Sequence, residues 1–458
     1  MSFTRRHFLL SSALPLVAQK TPAPPPRPNI LVIMADDLAS WMLGCYGNTE
    51  FRTPNIDRLA RSGMRFINSY VCTPVCSPSR ATFFTGRVPS QHGVHDFLTE
   101  RPIENPPQGQ AEQPPSFGQE VMVSDVLASN GYNCGYVGKW HMGEDRKPGH
   151  GYNYTYTMLG GSRSYNDPEM YLNGEAVQEK GYLTELMTRR ACEFLDAQKP
   201  DRPFFLVASY LNPHTPYDGH PQKYYDIYKD ARFEKVGYES PAPNALREKQ
   251  FLDDPVPHLR MCAASVTALD DQIPALLAKL HERGLWDNTI IVFTSDNGYL
   301  LGRHGLWSKG LASDPINMYE EVMQVPMIWS WPGKVPVEST RPELVSFYDF
   351  LPTLCDAAGV AAPSRKLCGR SYLQLVMNRP FPRNRQWPNI VFGSFRNTEM
   401  ARDIRYKLVL RNKGAGPNEL YDLAEDPGER ENVFENPHFV TVRDRLRGEL
   451  DRWRSRTA

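Results

Sequence analysis

Two short, uninterrupted apolar runs, residues 29–34 (NILVIM) and 289–294 (TIIVFT), constrain this chain most. Neither alternates polar with apolar residues, so neither suits a strand with one wet face. Both read as strands of a parallel sheet covered on both sides. Each run stops abruptly at polar residues: Asp36 and Asp37 after the first, Asp296, Asn297 and Gly298 after the second. A third run, 204–209 (FFLVAS), leads into Asn212 and His214. In open α/β sheets the ligand crevice lies beyond the carboxyl ends of the strands, so these distant polar groups can meet at one site.

A chain of 458 residues with 41% hydrophobic content can bury a large core. Lys plus Arg equals Asp plus Glu at 52 each, so no global field points to nucleic acid or to an anionic membrane surface. Attraction for an anionic substrate must be local. Arg5 and Arg6 precede an apolar stretch, 8–18, that is too short to span a bilayer and reads as a cleavable signal. The order Thr4, Arg5, Arg6, His7, Phe8, Leu9, Leu10 resembles the twin-arginine export signal. An ordinary signal peptide with two chance arginines is the alternative. Leu16, Val17 and Ala18 offer a cleavage site, and the Pro-rich stretch 22–28 forms a stiff linker. The expected organisation is export signal and linker over 1–27, a catalytic domain over 28–345, and a smaller domain over 346–458.

Leu259, Ala263, Val266, Leu269, Ile273, Leu276 and Leu280 recur at helical spacing and read as core. Residues 101–117 and 218–257 read as surface excursions. Residues 406–410 read as a short strand, and 440–453 as an amphipathic terminal helix. No second hydrophobic span follows the signal, so no membrane span is expected after its removal.

The most informative segment is CSPSRATFFTGR, residues 76–87. It resembles the signature of the type I sulfatases, in which the cysteine is oxidised to formylglycine. The resemblance extends through GKWHMG (138–143), NPHTPY (212–217), TSDNG (294–298), HGLWSKG (304–310) and ELYDLAEDPGERENV (419–433), and so covers nearly the whole mature chain. It implies an alkaline-phosphatase-like α/β fold with a large mixed sheet flanked by helices, then a smaller domain with a short antiparallel sheet and a terminal helix. It implies sulfate-ester hydrolysis by a formylglycine hydrate at position 76, installed by a formylglycine-generating maturation enzyme.

Sulfate transfer needs a nucleophile that can later leave sulfur, and positive charge around the oxygens. Asp36, Asp37, Asp296 and Asn297 are hard oxygen donors of the kind calcium or magnesium prefers. Taken alone, two acids after a strand are as often a helix cap or ion-pair partners. The resemblance selects one Ca2+ ion, with the converted Cys76 side chain as a further ligand. It also implies that Lys139 and Lys309 contact sulfate, that His141 holds or deprotonates the hydrate, that His214 lies near the leaving oxygen, and that Arg80 holds the formylglycine and metal ligands in place. His92, Asp96, Arg163, Arg303 and His304 are pocket candidates from position alone. Conversion of Cys76 leaves Cys45, Cys72, Cys134, Cys192, Cys262, Cys355 and Cys368, an odd number, so at least one stays unpaired.

An export signal suggests scavenging outside a bacterial cell, and hence a sulfated carbohydrate as substrate. A formylglycine-dependent phosphonate monoester or phosphodiester hydrolase of the same fold is the alternative, since sulfate and phosphate share a shape. A catalytically silent binding protein on this fold is a third reading.

Overall fold

The computed structural model describes residues 27–98, 117–382, 386–414 and 416–458. The expected export signal and most of the 101–117 excursion lie outside the described residues. Ten strands form the main sheet: β1 (Asn29–Asp36), β2 (Met64–Tyr70), β3 (Asn133–Lys139), β4 (Tyr154–Met158), β5 (Glu169–Leu172), β6 (Glu175–Gln178), β7 (Phe204–Pro213), β8 (Thr289–Ser295), β9 (Met327–Ser330) and β10 (Ser339–Ser346). Their spatial order is β10-β2-β9-β8-β1-β7-β3-β4-β5-β6. The centre, β8-β1-β7-β3-β4, is parallel, while β9 and the β5–β6 hairpin run antiparallel. The sheet is therefore mixed.

The three apolar runs form adjacent central strands. Ile30 pairs with both Phe205 and Ile290, and every residue of β1, β7 and β8 is buried. Such strands need helices on both faces to exclude water from them. Gly138 near the end of β3 has φ +109°, and a Cβ there would collide with the Ser209 carbonyl of β7. Only glycine lets these two strand ends approach.

The helical stripe between 259 and 280 is divided into two helices, Pro255–Asp270 and Ile273–Glu282. Pro274 suits the first turn of the second helix, where a missing N–H costs nothing. The segment 218–257 is not a mere surface excursion. It carries the helix Gln222–Tyr228 and buries Tyr224, Tyr228, Phe233 and Val236, and the Tyr228 hydroxyl accepts from the Arg52 N–H at 2.8 Å. Its aromatic residues hold it down, a signal that its Lys, Asp and Pro content masked.

After β10 the helix Phe350–Ala358 stays with the main core, where Phe350 stacks on Phe83 at 3.9 Å. An antiparallel sheet follows: β11 (Ile390–Phe395), β12 (Thr398–Asp403), β13 (Tyr406–Arg411) and β14 (Glu419–Asp422). The terminal helix Val440–Thr457 covers it through Leu446, Leu450 and Trp453, whose ring stacks on Phe392 at 4.6 Å. No helix among the described residues is long and apolar enough to cross a membrane.

Candidate active site

The carboxyl ends of the central parallel strands meet at one place. Asp36 is the last residue of β1, and Asp37 turns away from it at φ +66°, a conformation Asp tolerates better than most residues. The Asp37 N–H donates to Asp296 Oδ1 at 3.2 Å, the Leu38 N–H donates to Ser295 Oγ at 2.9 Å, and Asn297 Nδ2 donates to Asp37 Oδ1 at 2.6 Å. The two polar clusters that sequence places far apart are thus tied together.

Cys76 opens the helix Cys76–Thr85, in which all ten residues are buried. Pro78 sits in its first turn, where a missing N–H is harmless, and Gly86 ends it at φ +66°. This places residue 76 at the positive end of a buried helix, which favours negative charge there. Lys309 Nζ lies 2.9 Å from Cys76 Sγ, Lys139 Nζ lies 3.6 Å from it, and Asp36 Oδ1 is 3.8 Å away. Lys139 also pairs with Asp36, and Lys309 with Asp37 at 2.5 Å. Burial pushes the Cys76 thiol up to about 11 despite the two lysines. Burial would raise Asp36 as well, but Lys139, His214 and Arg80 outweigh it and hold that carboxyl below its ordinary range.

Arg80, one turn further along the helix, is fully buried. Its Nε donates to Asp296 at 2.8 Å, and one terminal nitrogen donates to the Lys139 carbonyl at 2.7 Å and to Ser209 Oγ at 2.8 Å. It therefore fastens the ends of β3, β7 and β8 to one another. A buried charge with these partners is costly to disturb, because removing it strands the Asp296 carboxylate.

His141 has φ +57°, and Gly161 leaves space for its ring. Its Nε2 is 2.8 Å from the Leu98 carbonyl, which can only accept, so the proton sits on Nε2 and the buried Nδ1 is left as a bare acceptor without a partner among the described residues. Burial and then Lys139 hold its pKa well below the ordinary value. His214 follows β7. Its Nδ1 donates to the Thr215 carbonyl at 2.6 Å, and its Nε2 faces Asp37 at 3.7 Å.

One oxygen from each of Asp36, Asp37 and Asp296 lies within 4.8 Å of the others, and atoms of Asp36, Cys76 and His214 group in the same way. Asn297 Oδ1 is buried without a hydrogen-bond partner among the described residues. Three buried carboxylates and an orphaned amide oxygen fit a hard divalent cation with oxygen ligands, and the donor types do not separate Ca2+ from Mg2+.

Cys76, Asp37, His141, His214 and Lys309 line a cavity of about 880 Å3. Asp36, Arg80, Lys139, Asp296 and Asn297 lie behind this floor, fully buried. Of the five positional candidates, Arg163 lines the cavity. The other four do not. His92 is bonded to Thr82 and to the Val94 N–H under the Cys76 helix, and Asp96 pairs with Arg396 at 2.6 Å. Arg303 lies over the Trp41 ring at 3.9 Å, and His304 stacks on Tyr319 while bonding Glu321 and Arg430. Sequence reasoning missed Leu246, Arg247, Glu248 and Tyr299, which also line the cavity. The Tyr299 hydroxyl donates to Glu248 Oε2 at 2.5 Å, and burial raises the Glu248 carboxyl above its ordinary value.

The sulfatase family model matches residues 28–360, and the model described as N-sulphoglucosamine sulphohydrolase, C-terminal, matches 302–456. The chain belongs to the sulfatase family. It is therefore an enzyme of the class that hydrolyses sulfate esters, on an alkaline-phosphatase-like fold. Among its relatives, the N-acetylglucosamine-6-O-sulfatase of Bacteroides thetaiotaomicron is 26% identical over 92% of this chain and 85% of its own. The ulvan-active sulfatase of Formosa agariphila is 27% identical over 93% of this chain and 81% of its own. A protein solved in complex with its substrate D-glucosamine-2-N,6-O-disulfate shares the fold with a TM-score of 0.80, at 24% identity, over 94% of this chain and 98% of that one.

Proposed function

We propose that this sulfatase removes a sulfate ester from a sulfated saccharide, using a formylglycine made from Cys76 and one divalent cation, Ca2+, held by Asp36, Asp37, Asp296, Asn297 and the converted side chain. The observation that carries the reading is the convergence around Cys76: two lysine ammonium groups within 3.6 Å of its sulfur and three carboxylates grouped behind it, at the floor of an open cavity. When present, the formylglycine hydrate supplies the nucleophilic oxygen and the cation offsets charge on sulfate and nucleophile. The remaining work falls to this chain's own residues. Lys139 and Lys309 bind sulfate oxygens and stabilise charge as the sulfur–oxygen bond stretches. Arg80 keeps Asp296 and the Lys139 backbone in register. His141, with its bare Nδ1, accepts a proton from the group at position 76. His214, carrying a proton on Nε2 beside Asp37 as well as the Nδ1–H given to the Thr215 carbonyl, hands the Nε2 proton to the departing alcohol.

The saccharide assignment is supported by the named substrates of relatives that align over nearly the whole chain. Arg5 and Arg6 before a short apolar stretch support export of the folded protein by the twin-arginine machinery to the periplasm or beyond. Residues 28–345 serve as the catalytic domain and 346–458 as the smaller one, whose first helix, Phe350–Ala358, packs into the catalytic core. Co-expression with a formylglycine-generating enzyme, followed by peptide mass spectrometry at position 76 and assay on sulfated mono- and disaccharides, tests the reading. Conversion with sulfate release is the expected result. Unmodified Cys76 in an active enzyme would sink it, and preferred turnover of aryl phosphodiesters would favour the phosphonate or phosphodiester alternative.

A further inference from the structure

Glu248 is an acid in a cavity otherwise arranged for anions. It lines the same cavity as Cys76, His214 and Lys309, yet among the described residues it forms no ion pair. Its backbone is left-handed, φ 54° and ψ 31°, a conformation that costs a non-glycine residue of order 1 kcal/mol and persists only where the surroundings impose it. It precedes the short helix Lys249–Phe251, but its side chain does not cap that helix. The carboxyl is instead turned toward Tyr299, whose hydroxyl holds Oε2, while Trp41 Nε1 donates to the Tyr299 carbonyl at 3.1 Å. The Tyr299 ring is 2% exposed, so the anchor is rigid. Oε1 accepts no hydrogen bond among the described residues.

A half-buried carboxylate held through one oxygen, on the lining of a ligand cavity, has acceptor capacity left for a donor bound there. A second sulfate or a uronate carboxylate set directly against Glu248 would be repelled, even though Arg247 lines the cavity beside it. An uncharged sugar hydroxyl would be held, and Leu246, 59% exposed at the same rim, offers an apolar surface beside it. Resting on the sulfatase reading above, we propose that Glu248 determines specificity by accepting a hydrogen bond from a hydroxyl on the same sugar that carries the sulfate, so that the substrate bears a neutral, hydroxylated ring edge at this wall.

The test uses the matured full-length enzyme and three probes: 4-nitrophenyl sulfate, a panel of sugar monosulfates, and deoxy analogues of the best of these. Glu248→Gln should lower the ratio of kcat/KM for sugar sulfate to that for aryl sulfate by about 10- to 100-fold, mainly through KM, as expected when a charged hydrogen bond is lost. Tyr299→Phe, which loosens the carboxyl without removing it, should lower the same ratio by less. One deoxy analogue should lose turnover with wild-type enzyme and lose no more with Glu248→Gln. The proposal is overturned if Glu248→Gln leaves the ratio unchanged, or if every deoxy analogue is penalised further by the substitution. Wild-type enzyme that hydrolyses neither aryl nor sugar sulfates would instead remove the sulfatase reading beneath it.

Discussion

The floor and the rim of the cavity are built differently. Directly behind the floor, Asp36, Arg80, Lys139, Asp296 and Asn297 are fully buried and come from strand ends and one buried helix, each cross-bonded to another element. At the rim, Arg163, Leu246, Arg247 and Glu248 come from loops, and Leu246 is largely exposed. A floor whose members hold one another suits chemistry that tolerates little displacement. A rim of loop residues can differ between relatives without disturbing what lies beneath it, which is why the proposed specificity contact is placed there.

The comparison breaks first if Cys76→Ala retains activity. Sulfate release should fall by at least about 1,000-fold, with a thermal melting curve little changed, because a side chain that acts only as the reacting group leaves the fold intact when removed. Arg80→Met should cost about 3–5 kcal/mol of stability by urea unfolding, since it leaves Asp296 buried and unpaired. A rim-sized effect there would show that the floor is not mutually braced.

Chelation should lower both activity and melting temperature, with recovery on adding back Ca2+. A cation at 100 times its dissociation constant contributes about 2.7 kcal/mol. His92 tests the support beneath the floor by pH. Burial depresses its pKa from 6.5 to about 3, and its Nδ1 accepts the Val94 N–H, an arrangement protonation would break. The unfolded chain takes up a proton as pH falls through 6.5, whereas the folded one resists until about 3. The contribution of His92 to stability is therefore complete above 6.5 and drains in acid. Stability should decline by roughly 1.4 kcal/mol per pH unit in that window from this residue alone, and His92→Gln should flatten that part of the curve. The smallest effect belongs to the rim: Leu246→Ala should leave melting unchanged and shift KM by less than about 10-fold, the most that partial loss of one exposed apolar side chain can do.

How much of this was legible in sequence follows from where each signal sits. The central strands announce themselves, because a strand buried on both faces must be apolar throughout, and their abrupt polar ends mark the crevice. Cys76, Arg80, Lys139, His141, His214 and Lys309 stood out because each lies in a contiguous motif. His92, Asp96, Arg303 and His304 looked alike as pocket candidates, yet a neutral buried tautomer, the Asp96–Arg396 and Arg303–Glu321 ion pairs and a stacked ring give them partners away from the cavity. Glu248 lies in a polar segment with no periodicity, and nothing local distinguishes it from the solvated acids around it.

Sequence alone thus determined the α/β class, the strand ends that carry the acids, and the family chemistry, since these depend on short-range pattern and on residue type. Tertiary structure decided which groups share the cavity, which nitrogen of His141 is bare, and that a loop acid lines the cavity too. Those features depend on contacts between elements far apart in the chain, and local composition carries no record of such contacts.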